Sequence, residues 1–197
     1  MSRHTYPATS QDRMNYLLGL DAADQQISIA LRFPERLDAA RLDEALRVSL
    51  KIAPVLSCRF VEADTPYWEH QELGPEHPLL AVSACAEEEA DAEIRAFAAE
   101  PGDRTRAPMV QARLIRSASS DVLCVKISHL CSDGAGLKEY VRLLASVYTR
   151  LGEGEHPDRA AGGPAASGSA GFRDQSPVFQ ALGIEDLQSV MKQDPGS

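Results

Sequence analysis

An α/β fold, built on a single mixed, largely antiparallel sheet of about five or six strands with helices mainly on one face, is predicted by three features of the sequence. Residues 109–116 (MVQARLIR) and 121–128 (DVLCVKIS) are two strand-like runs joined by Ser117–Ser120, the best hairpin in the chain. Directly after them, 134–151 keeps a helical period through Leu137, Tyr140, Val141, Leu144, Val147, Tyr148 and Leu151. Near the start, 27–33 alternates Ile27, Ile29, Leu31 and Phe33 against Ser28, Ala30 and Arg32, the pattern of a half-buried strand.

The remaining elements follow in order. Residues 10–20 read as a short helix, with Ser10 as N-cap and Met14, Leu17 and Leu18 on one face. Pro34 ends the first strand. A helix from Leu37–Asp38 to about Lys51 carries Asp38 as cap and a stripe of Leu42, Ala45, Leu46, Ser49 and Ile52, and Pro54 stops it. Residues 55–63 return to strand, and 67–71 pair with them across the Asp64-Thr65-Pro66 turn. Leu79 to Ala84 is a further short strand. Glu87, Glu88 and Glu89 suit the positive end of the next helix, whose buried side is Ala90, Ile94 and Phe97. Residues 1–151 therefore form one lobe, and a Gly/Ala/Pro-rich linker occupies 152–175. The last part, 176–197, is a short helical stub that cannot build a core alone.

Composition excludes several classes. The 197 residues carry 20 basic against 29 acidic side chains, a net charge of −9, with no basic cluster, so nothing points to nucleic acid. No apolar run approaches membrane-spanning length and Met1 to Ser10 lacks a signal-peptide core, which makes the cytoplasm the expected location. Cys58, Cys85, Cys124 and Cys131 have neither C-x-x-C spacing nor histidines at ligand spacing. They read as reduced packing residues, and no metal is expected.

The chemistry concentrates in Ser128-His129-Leu130-Cys131-Ser132-Asp133-Gly134. His129 follows the last residue of a strand and Gly134 opens a long helix, so the imidazole stands on a loop at the rim of a sheet. A histidine held there suits a general base that takes a proton from an attacking alcohol, amine or thiol. Asp133 is expected to hold the loop rather than move a proton. Gly134 and Gly136 are expected to allow close approach and positive φ at the helix entry. Ser132 lacks a nucleophile elbow, and Cys131 reads as packing rather than as the partner of a Cys–His pair.

This segment resembles the His-His-x-x-x-Asp-Gly motif of the condensation-domain and CoA-dependent acyltransferase superfamily, with similarity over roughly residues 8–151. Leu37–Leu50 resembles that family's first long helix, Pro54–Phe60 the strand after it, and Pro108–Arg116 the strand before the histidine hairpin. The resemblance implies one lobe of a two-lobed fold and transfer of an acyl group from a CoA or carrier-protein thioester to a hydroxyl or amine. His129 would be the base, and Asp133 would be held by an arginine. The donor's own pantetheine arm would be the only cofactor-like group, with none tightly bound.

Three departures qualify this. Ser128 replaces the first motif histidine, as in alcohol-acetyltransferase-like members, which favours a small alcohol or amine as acceptor. The family's arginine position falls on Ser57, leaving Arg59 as the candidate partner of Asp133. The chain is about half the length of the two-lobed fold, and Trp68 is its only tryptophan. Two alternatives therefore stand beside an enzyme. One is a truncated, non-catalytic half-domain that acts as a binding or interaction module or self-associates; the other is half of a split enzyme whose second lobe is another chain.

Overall fold

The computed structural model describes residues 4–21, 26–103 and 105–155. Their elements are β1 (Thr5–Pro7), α1 (Ser10–Asp21), β2 (Gln26–Phe33), α2 (Ala39–Ile52), β3 (Cys58–Val61), β4 (Tyr67–His70), β5 (Leu80–Ala84), α3 (Ala90–Ala99), β6 (Val110–Arg116), β7 (Asp121–Ser128) and α4 (Gly134–Gly152). Most of the linker expected at 152–175 and the helical stub of 176–197 lie outside the described residues.

The expected single sheet is two. A four-stranded sheet has the order β2-β7-β6-β5, and a separate three-stranded sheet has the order β1-β4-β3. In the larger one, β7 pairs antiparallel with both β2 and β6, whereas β5 joins β6 in parallel after a crossover through α3. Local patterning shows where strands lie and which neighbours form hairpins, as β3–β4 and β6–β7 do, but not which distant strands meet, and that pairing is what divides the sheets. Part of the separation is local: Pro54 opens a 3₁₀ turn over Pro54–Ser57, so the strand expected at 55–63 shortens to β3. The smaller sheet also gains β1, whose Pro7 sits at an edge, where a missing N–H is tolerated.

All eight residues of β7 are buried. On one of its faces Val122 and Cys124 pack with Ile115 and with Phe97 of α3. Lys126, on that same face, is fully buried; its ammonium donates to the carbonyls of Phe97 (3.0 Å) and Glu100 (2.5 Å) and lies 4.7 Å from the Phe97 ring. The carbonyl end of α3 thereby stabilises a cation taken out of water. The other face carries Leu123, Val125 and Ile127 beside Leu114, Ala112 and Val110 of β6. The buried stripes of α2 (Leu42, Ala45, Leu46) and α4 (Leu137, Tyr140, Leu144, Val147) supply the apolar surface that covers it. These two helices are joined by a buried hydrogen bond between the hydroxyls of Ser49 and Tyr140 (2.9 Å).

Caps account for the helix starts. Asp38 accepts from the Arg41 amide at 3.1 Å, as its position before the stripe predicts. In α1 the cap is Thr9 rather than Ser10. The Asp12 amide donates to the Thr9 hydroxyl (3.1 Å) while the Thr9 amide donates back to Asp12 Oδ2 (2.9 Å). That same oxygen accepts from the indole N–H of Trp68 (3.0 Å), so buried Asp12 ties α1 to the smaller sheet. The outward side of α1 is apolar: Met14, Leu17, Leu18 and Leu20 are each more than half exposed.

At the start of β7, Asp121 is fully buried. It accepts from Arg36 Nη1 (2.5 Å) and the Leu37 amide (2.8 Å), with Arg116 Nε at 3.6 Å. Removing the carboxylate would leave the Leu37 amide unpaired and two guanidinium groups without their counter-charge. Asp121→Ala is expected to lower the unfolding free energy by about 3 kcal/mol, read as a lower urea midpoint at unchanged m-value.

Candidate active site

The end of β7 places the motif. Ser128, the last residue of the strand, is the Cα partner of Gln26 on β2 and is buried. Its carbonyl accepts from the Cys131 amide (3.1 Å) and thiol (3.3 Å), and its hydroxyl accepts from the Leu130 amide (3.3 Å). The chain thus turns sharply after the strand, and the buried side chains of Leu130 and Cys131 anchor that turn. His129 lies between buried neighbours and is itself only partly buried. Its Nδ1 is closed to solvent and has no hydrogen-bond partner among the described residues. Burying a polar atom unpaired costs about 1–3 kcal/mol, so a nitrogen left in that condition at a loop calls for an explanation.

Asp133 stands at the N-cap of α4. Its Oδ1 accepts from the Gly136 amide (2.8 Å) and its carbonyl from the Leu137 amide (2.9 Å). The side chain therefore holds the helix entry. Arg59 is not brought to it. Cross-strand pairing sets Arg59 opposite Glu69 of β4, and Nε donates to the buried Glu69 carboxylate at 2.6 Å. Gln71 donates to the same oxygen (3.0 Å). Ser57 turns the other way, its hydroxyl donating to the Leu50 carbonyl of α2 (3.3 Å).

The two glycines separate. Gly154 is the only residue with positive φ among those described, so neither Gly134 nor Gly136 uses the left-handed region expected of them. A Cβ on Gly134 would meet nothing within 4 Å, whereas one on Gly136 would press on the Ser132 hydroxyl. Close approach is thus required only at Gly136. The cysteine geometry matches packing thiols. Cys131 donates to a carbonyl, and burial first, then the neighbouring Cys131, pushes the Cys58 thiol up to about 12.

One contact had no sequence signal. Nδ2 of Asn15 on α1 donates to the His129 carbonyl at 3.0 Å, joining positions 114 residues apart. An asparagine inside a short helix carries no pattern that points so far along the chain.

Residues 2–162 match the family model described as Condensation domain. Among solved structures, the first condensation domain of the CDA synthetase superposes with a TM-score of 0.69 at 22% identity, covering 78% of this chain and 41% of that one. The X-domain from teicoplanin biosynthesis gives 0.68 at 24% identity, with 95% and 40% covered. The starter condensation domain of the rhizomide synthetase, a mutant in complex with C8-CoA, gives 0.65 at 20%, with 78% and 37% covered. The chain spans about two fifths of the length of these structures, and their likeness shows the fold. No curated protein matches the sequence. No helix among the described residues is long and apolar enough to cross a membrane.

If Asp133 acts through the cap, Asp133→Ala should lower stability by about 1 kcal/mol while Asp133→Asn retains most of it, measured by urea unfolding. Alanine at Gly134 should be neutral or stabilising by up to about 1 kcal/mol. Gly136→Ala, pressed against Ser132, should destabilise in the same assay.

Proposed function

The chain belongs to the condensation-domain family, and on that premise we propose that it moves an acyl group from a CoA or carrier-protein thioester to a hydroxyl or amine, with His129 as general base. The observation that carries this reading is the partly buried His129 imidazole at the end of the central strand, with Nδ1 turned inward and unpaired. Nε2 is then the nitrogen left to meet a substrate. It takes the proton of the acceptor as its oxygen or nitrogen attacks the acyl carbon. The new C–O or C–N bond forms, the C–S bond breaks, and the proton passes to the departing thiolate. Asp133 does no proton transfer; by capping α4 it fixes where the loop ends. Gly134 sits at the mouth of the same turn, where a hydrogen in place of a side chain leaves the approach open. Arg59, bonded to Glu69, supports the smaller sheet.

The donor is a substrate rather than a resident cofactor, and the C8-CoA complex of the rhizomide synthetase domain supports an acyl thioester of that kind. Ser128 in place of the motif's first histidine favours a small alcohol or amine as acceptor.

A second reading has its own support. The exposed apolar side of α1 flanks the residue that touches His129, and the matched structures are more than twice as long as the matched region. A lobe of this kind would form one wall of the site, with a second lobe supplying the other wall and burying that face. Without it, loss of positioning alone would suppress the rate by orders of magnitude, and the chain would act as a binding module or as half of a split enzyme.

Acyl transfer from acyl-CoA and from carrier-bound thioesters to small alcohols and amines, measured with and without an added second lobe, tests both readings. His129→Ala is expected to reduce the rate about 100-fold or more. Equal rates for the variant and the parent chain would overturn the base assignment. A rate that appears only with the second lobe would support the reading of this lobe as one wall of the site.

A further inference from the structure

We infer that Asn15 and Ser128 are positioning residues for His129, acting as a two-ended clamp on the peptide plane that follows it. The inference rests on the reading of His129 as the base. A trans peptide is rigid, so the carbonyl of His129 and the N–H of Leu130 move as one plate. Each end of that plate is held by a side chain. Asn15 Nδ2 donates to the carbonyl at 3.0 Å, and the Leu130 N–H donates to Ser128 Oγ at 3.3 Å. With both ends tied, ψ of His129 is fixed, and so is the direction in which its Cα–Cβ bond leaves the turn.

The clamp is backed on the far side. Gln11 Nε2 donates to Asn15 Oδ1 (2.9 Å), one helical turn earlier on α1. That bond sets which end of the Asn15 amide faces His129: the oxygen is taken, so the NH₂ points to the carbonyl. The helix carrying this pair is anchored by Asp12, which the Trp68 indole holds at 3.0 Å. Asn15 thus reaches the loop from a fixed support. Ser128 gains a role through the clamp that a histidine in its place could not fill in the same way, because the hydroxyl oxygen is short enough to accept from an amide two residues on.

The full chain, labelled with carbon-13 and nitrogen-15, reads the clamp by NMR without any substrate. In Asn15→Ala and in Ser128→Ala, both the His129 carbonyl signal and its ring nitrogen signals should move. The double variant should move the ring signals by less than the sum of the two, because both act on one plate. Ring signals that stay in place while the carbonyl signal moves would overturn the inference, and so would strictly additive ring shifts. Should one variant fail to fold, the other still decides by the same ring signals. In the acyl-transfer assay, Asn15→Ala is expected to lower kcat roughly tenfold with KM within about twofold, the mark of misorientation rather than lost binding. A rise in KM alone would overturn it. If His129→Ala keeps full activity, the base assignment fails by itself, and the ring signals still test the clamp.

Discussion

The pairing of β7 with a neighbour on each side, under cover on both faces, is the constraint from which the rest of the lobe follows. A strand flanked by β2 and β6 has its backbone paired on both sides, and its eight side chains are all buried. Both faces must then be covered, by the α2–α4 pair on one side and by α3 on the other. The chain can leave such a strand only at its end. The turn at Ser128–Asp133 is that exit, and α4 must start at once to bring its apolar stripe back over the sheet. His129 lies between a strand buried on both faces and a helix that starts five residues later.

Buried polar groups supply what apolar packing cannot. Asp121 collects Arg36, Arg116 and the Leu37 amide at one end of β7. Asp12 links α1 to Trp68, and Glu69 pairs with Arg59. Each is a carboxylate at most 2% exposed with several donors around it, the condition under which a buried charge is tolerated. Asp12 joins α1 to the smaller sheet beside the stacked rings of Tyr16 and Phe60, whose centroids lie 4.8 Å apart.

Much of this was legible in the sequence, and the reason differs from element to element. Alternation in 27–33 and the 3.6 period in 134–151 report directly on a one-sided environment, and both elements stand where the pattern puts them. Asp38 was readable because a cap is local. The divided sheet was not, since pairing is decided between segments far apart in sequence. Nor was the destination of Arg59: its strand face was readable, but the charge opposite it depended on how β3 and β4 align. Met14, Leu17 and Leu18 show the limit of periodicity. They share a face as expected, yet that face looks outward, because a pattern of apolar residues says that a surface is suited to burial and not what buries it. At the site, the strand–turn–helix context of His129 could be read, whereas the hold of Asn15 on its carbonyl could not.

Lys126 carries a further consequence. On a strand buried from both sides, apolar residues are nearly interchangeable, and sliding β7 by one position would cost its packing little in composition. It would, however, exchange the two faces. The ammonium would leave the carbonyl end of α3 and enter the apolar surface shared with α2 and α4. One lysine therefore makes a slipped alignment of the ladder prohibitive, and it lies three residues before His129. The fidelity with which the imidazole arrives at the rim of the sheet is set by a charge on the opposite face of the same strand.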